Sequence, residues 1–246
     1  SHLGARPEEV IFTSGGTEGD ALALFGIARA YAEKGKHFIT TSIEHHAVLS
    51  AYEALEKEGF EVTYLDVEEN GILNPEKVKE ALRPDTIMVS VMFANNEIGT
   101  IQPIEEIGKI IQEYRKVQNT RFPFFHTDAC QVGGFLDLDV TKLNVDLLTL
   151  NGSKIQGPKG TGILFVRRGV DIKPLMYGGG QEKGLRSGTE NVAGIVGFAK
   201  ALELVYNEQD NEKILKLRNK LSSEILRRIP SATYNGHPNF RLPNNV

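Results

Sequence analysis

The chain has 246 residues, 40% of them hydrophobic and 24% charged, with a formal net charge of -4 and a single cysteine. Those proportions are those of an ordinary globular protein holding one large domain, or one domain and part of another. The charge gives no electrostatic reason to bind nucleic acid, and no apolar run is long enough to span a bilayer. Lone Cys130 can form neither an intrachain disulfide nor a thiolate zinc cluster, so a reducing, cytoplasmic setting is expected.

Short β-branched and aromatic runs predict strands at 10–13, 37–40, 61–65, 86–91, 123–126, 145–150 and 162–166. Several are continuously apolar, as expected of strands buried on both faces. Helical spacing predicts helices over 18–34, with Ala21, Leu24, Phe25, Ile27 and Ala28 on one face, and over 103–116, with Ile104, Ile107, Ile110 and Ile111. The stretches 190–206 and 211–229 read as helical too. The alternation predicts a three-layer α/β/α domain on a mostly parallel sheet. A boundary is expected in the charged patch from Tyr206 to Lys213, separating a large domain at 1–205 from the start of a small α+β domain at 206–246. Ser231 to Tyr234 could open a strand. Too little follows 211–229 to bury its apolar face, so that face either packs back on the main domain or meets a second one.

Polar clusters stand just past the apolar runs, where ligands bind in open parallel sheets. Ser14-Gly15-Gly16-Thr17 joins a strand to a helix, and Gly16 and Thr17 can cradle an anion with the first helical N–H groups. Taken alone, the same residues read first as a helix cap by Ser or Thr, with Glu18 in the first turn. Gly-Lys-Ser/Thr is absent, so this is no P-loop. His45 and His46 are adjacent and diverge, and no second His or Cys pair completes a metal site; His45 could stack on an aromatic ligand or be an ordinary loop residue. Asp128 follows an apolar run, where a carboxylate needs a cationic or hydrogen-bonding partner; a protonated ring nitrogen would serve, as would a cap role. Lys154 also follows a buried strand, and a desolvated lysine readily forms a Schiff base, although most lysines are solvated. Together these residues offer a phosphate grip, a pyridinium partner and an aldehyde partner, the set that pyridoxal 5'-phosphate (PLP) requires.

Six motifs then occur in order: Thr13-Ser14-Gly15-Gly16-Thr17-Glu18, Glu44-His45-His46-Ala47-Val48, Asn95-Asn96-Glu97-Ile98-Gly99, His126-Thr127-Asp128-Ala129-Cys130-Gln131, Ser153-Lys154-Ile155-Gln156-Gly157-Pro158-Lys159-Gly160, and Gly178-Gly179-Gly180-Gln181-Glu182 with Arg186-Ser187-Gly188-Thr189. In these, nearly the whole chain resembles the cysteine desulfurases of the class V aminotransferase, fold-type I PLP family. The resemblance implies that Lys154 holds PLP covalently and moves protons, that His45 stacks on its ring and acts in acid–base steps, and that Asp128 pairs with the ring nitrogen. It implies that Gln131 and Asn96 contact the phenolic oxygen, and that Gly16 and Thr17 hold the phosphate. Thr189 would reach the phosphate site of the partner subunit in a homodimer. The implied reaction turns L-cysteine into L-alanine and leaves persulfide sulfur for an acceptor protein, as in iron–sulfur cluster assembly.

Two departures stand out. Asn151 and Ser153 replace the family's usual Ser and His beside the lysine; both can hydrogen-bond phosphate, but a titratable imidazole is lost. The family's sulfur-accepting cysteine and its carboxylate-binding arginine are expected further along than this chain runs, and its N-terminal arm earlier. The resemblance puts Cys130 beside the cofactor rather than on the mobile loop, so it is not assigned the nucleophile's role and the chain by itself is expected to be inactive. The rival readings are another class V enzyme, such as a selenocysteine lyase or an aminotransferase, and a non-catalytic fragment.

Overall fold

A computed structural model describes residues 2–206 and 208–246. Seven strands form one sheet: β1 (Val10–Thr13), β2 (His37–Thr41), β3 (Glu61–Leu65), β4 (Thr86–Ser90), β5 (Phe124–Asp128), β6 (Leu147–Asn151) and β7 (Gly162–Val166). Each falls on a predicted run, with ends moved by at most two residues. The order is β1-β7-β6-β5-β4-β2-β3. Only β7 runs against the others, pairing antiparallel with both β1 and β6. A parallel return from β6 would need a crossover, and the chain between Asn151 and Gly162 offers only a 3-10 turn at Gly152–Ile155.

Helices cover both faces. α1 (Gly16–Tyr31) and α2 (His46–Lys57) bury Leu22, Leu24, Ile27, Val48, Tyr52 and Leu55 on one side. α3 (Pro75–Ala81), α4 (Ile104–Val117) and α5 (Val192–Val205) bury Val78, Ile104, Ile107, Ile111 and Phe198 on the other. The three-layer α/β/α arrangement is therefore present. Neither α2 nor α3 was among the expected helices. On α1 the buried stripe runs through Leu22, Ala23, Ile27 and Tyr31, whereas predicted Ala21 and Phe25 are only half-buried.

The last part of the chain departs further from expectation. α6 (Glu208–Arg228) exposes Leu217, Leu221 and Leu226 and buries Arg218 and Ser222 instead. Its apolar face is not covered among the described residues. No strand forms at 231–234; the chain turns there and returns to the sheet edge, where Thr100 and Arg241 make an isolated antiparallel bridge. Asn207, within the predicted boundary stretch, lies outside the described residues. Among the described residues no helix is long and apolar enough to cross a membrane, and no cluster of His, Cys, Asp or Glu is arranged to hold a metal ion.

Candidate active site

Parallel strands deliver their carboxyl ends to one edge, and there a cleft of about 450 Å³ opens, counting its mouth. Its walls are Gly16, Thr17, Asp20, His45, Met92, Asn96, Asp128, Cys130, Gln131, Asn151 and Lys154. Eight of these stand in five separate motifs singled out in the sequence as cofactor-binding. Ser153 and Thr189 are not on these walls; both are exposed.

The cradle comes from the turn after β1. Gly15 adopts φ 154°, a conformation open to glycine, and the helix starts at Gly16 with no side chain capping it. The expected Ser or Thr cap is thus not formed, because the Thr13 hydroxyl donates to the Gly15 carbonyl instead (3.0 Å). Glu18 is also engaged elsewhere: its Oε2 accepts the Ser14 N–H (2.8 Å) and its Oε1 the Arg186 Nε–H (2.7 Å). Burial pushes the Glu18 carboxyl up, but hydrogen bonds from Arg186 and Ser14 and the Arg186 charge hold it below its usual range. That ion pair ties the Arg186-Ser187-Gly188-Thr189 motif to the cradle. The first helical N–H groups are left facing an anion-sized space.

His45 caps α2: its Nδ1 accepts the Ala47 N–H (3.0 Å), which leaves the neutral ring's proton on Nε2. It is therefore not a free loop histidine, and its ring meets that of His46 edge-on, the centroids 6.5 Å apart and the planes 64° to each other. Asn95 orders the next loop. Its Oδ1 accepts the N–H groups of Glu97 and Ile98 (2.8 and 2.9 Å), and its amide donates to the Ile43 carbonyl (2.9 Å). Asn96 is thereby set at the rim.

Asp128 ends β5 in register with Thr149 of β6. Its Oδ1 accepts the Cys130 N–H (2.9 Å), a local turn rather than a helix cap, and the carboxylate faces the cleft. Asn151 Oδ1 accepts both the N–H and the hydroxyl of Ser153 (3.1 and 3.0 Å), fixing the 3-10 turn that carries Lys154. Lys154 is exposed rather than desolvated, since that turn takes the chain out to the cleft mouth. It makes no ion pair or hydrogen bond among the described residues, so its amine is unencumbered.

Beneath the cleft lies a polar layer between the sheet and the α1–α2 face. His126 bonds Ser90 through Nδ1 (2.8 Å) and Thr149 through Nε2 (3.0 Å), and Asp20 Oδ1 stands 3.6 Å from Nε2. Burial drives the His126 imidazole down to about 3, so it is neutral. Burial, then the nearby Asp128 charge, raises the Asp20 carboxyl well above its usual range. The Cys130 thiol is raised by the same two causes and is a neutral S–H. Asp20 and Met92 were not anticipated as walls, whereas Cys130 was expected beside the cofactor and does line the cleft. The signal for Asp20 was available, because a carboxylate at that spacing falls on the buried stripe of α1 with Ala23 and Ile27.

The aminotransferase class-V family profile matches residues 1–238. The chain is 54% identical over 246 residues to the cysteine desulfurase IscS of Methanosarcina thermophila, covering 99% of this chain and 59% of that one. It superposes on a solved NifS-like protein with a TM-score of 0.92 at 40% identity, over 98% of this chain and 65% of that one. It superposes on SspA in complex with cysteine with a TM-score of 0.82 at 41% identity, over 90% and 62% respectively. The chain thus spans about three fifths of the curated relatives it matches.

Proposed function

This chain belongs to the class-V aminotransferase family, and from that membership we propose that it is the cofactor-holding part of a PLP-dependent cysteine desulfurase, which converts L-cysteine to L-alanine and passes the sulfur on as persulfide. One observation carries the reading: Gly16, Thr17, Asp128 and Lys154, remote in sequence, wall a single cleft. The names of the similar IscS proteins and the cysteine bound to SspA support the substrate.

The residues present fit PLP. An uncapped helix start suits its phosphate, a carboxylate on the cleft wall its ring nitrogen, and an amine with no ion pair among the described residues its aldehyde. When bound, the cofactor supplies an electron sink that weakens bonds at the substrate's α-carbon. Lys154 would hold it covalently and shuttle a proton at Nζ. Asp128 would keep the ring nitrogen protonated, an effect strengthened by the low-dielectric floor. His45, proton on Nε2, would pack on the ring and donate or receive protons from above. Asn96 and Gln131 would orient the phenolic oxygen, and Asn151 and Ser153 would stand at the phosphate end. Exposed Thr189, held by the Glu18–Arg186 pair near the cradle, would serve the phosphate site of the partner in a homodimer.

We read residues 1–205 as the PLP domain and 206–246 as the opening of a second, a division supported by the uncovered leucines of α6. A cytoplasmic setting suits the single unpaired thiol. That thiol is buried and neutral, a poor nucleophile for sulfur uptake, so this chain alone would turn over no cysteine. The test is spectroscopic. The purified chain mixed with PLP should develop an absorption band that free PLP lacks and that Lys154→Ala abolishes. The same band in both proteins would overturn the assignment.

A further inference from the structure

Glu44 is a buried acid to which the proposed chemistry gives no task. It is 5% exposed and immediately precedes His45. Its Oε1 accepts the Thr41 hydroxyl (2.8 Å) and the backbone N–H of Met92 (2.8 Å), while Oε2 is buried with no hydrogen-bond partner among the described residues. One side chain therefore ties the end of β2 and a wall of the cleft to the loop that carries His45. Asn95 grips the same loop from the other side through the Ile43 carbonyl. Residues 43 and 44 are thus fixed from two directions, and residue 45 has little freedom beyond its own χ angles.

We infer that Glu44 is a positioning residue for the desulfurase reaction, its carboxyl holding the 42–45 loop so that the His45 ring stays at the cleft wall. The inference rests on the reading of the cleft as a PLP site. A glutamine could make the same two acceptor bonds, so an acid here also brings a titration. The groups facing it are Asp128 from β5, Asp20 from α1 and the Tyr52 hydroxyl from α2, and no cation pairs with it among the described residues. Burial pushes the carboxyl up to about 8, with the Asp128 charge adding to it against the Met92 and Thr41 hydrogen bonds. Below that pH the loop is held by a neutral acid. Above it a second negative charge appears beside Asp128, and the loop and His45 must adjust.

The experiment follows the His45 ring by NMR in the chain without cofactor, with the resonance assigned by His45→Gln. In the parent protein the His45 resonance should show an inflection near pH 8. Glu44→Gln should remove that inflection and keep the low-pH chemical shift; Glu44→Ala should move the His45 shift at every pH. Loss of the inflection in Glu44→Gln supports the inference even if Glu44→Ala does not fold. An inflection that survives in Glu44→Gln, or a parent with none, overturns it. The readout needs no cofactor, so a missing Lys154-dependent band would sink the PLP reading and leave this result standing.

Discussion

A Cβ built at Gly16 would stand 2.7 Å from the sulfur of Cys130, inside any real contact distance. The cradle's glycine is therefore matched to a thiol from the turn after β5, 114 positions along, and neither can grow without displacing the other. Gly16→Ala should destabilise the fold by about 1–3 kcal/mol through overpacking. Adding Cys130→Ala should recover most of that loss, a coupling that urea denaturation of the four proteins measures as a double-mutant cycle.

The same thiol should be unreactive. It is buried, and its pKa is raised by burial and by Asp128, so thiolate is scarce at neutral pH. Alkylation by iodoacetamide, followed by mass spectrometry, should be slow in the native chain and complete after denaturation. Fast native labelling would contradict the buried position.

Asn151 does for the Lys154 turn what a cap does for a helix, accepting two hydrogen bonds from Ser153. Asn151→Ala should cost about 1 kcal/mol of stability and weaken PLP binding, read as the concentration needed to saturate the Lys154-dependent band. Ser153→Ala loses only the hydroxyl bond and should show the smaller effect on both.

Two buried groups set opposite pH trends. His126 is lowered from 6.5 to about 3, so between those values the unfolded chain binds a proton that the folded one refuses. Stability therefore falls as pH drops below 6.5. Glu44 is raised from 4.5 to about 8, so there the folded chain holds the extra proton and stability falls as pH climbs toward 8. Thermal melts should flatten on the acid side in His126→Gln and on the alkaline side in Glu44→Gln.

Much of this was legible in the residues. Runs such as 162–166 could only be buried strands, and the polar clusters past them had to meet at one sheet edge. The reversed direction of β7 was not read, although the absence of a helical pattern between 151 and 162 implies it. α2 went unnoticed because the Glu44-His45-His46 motif leads straight into it, yet Val48, Tyr52 and Leu55 keep helical spacing. α3 is short and carries its signal in the Asn74 cap and Pro75 alone. The polar layer of Asp20, Ser90, His126 and Thr149 was hidden for a different reason. A single polar residue inside an apolar run says nothing of its neighbours until strand register brings Ser90 opposite His126.

The clasp between the last residues and the Asn96 loop has a consequence for synthesis. Ile101 N–H donates to the Phe240 carbonyl, Leu242 N–H to Gly99, and the Asn245 amide to the Glu97 carbonyl. A nascent chain emerges amino end first, so the glycine cradle at residue 16 is made more than two hundred residues before the strap that braces the opposite rim. Until residues 240–245 have emerged, the lip that carries Asn96 is unbraced, and the cleft reaches its final shape only after more than two hundred further residues have followed the cradle.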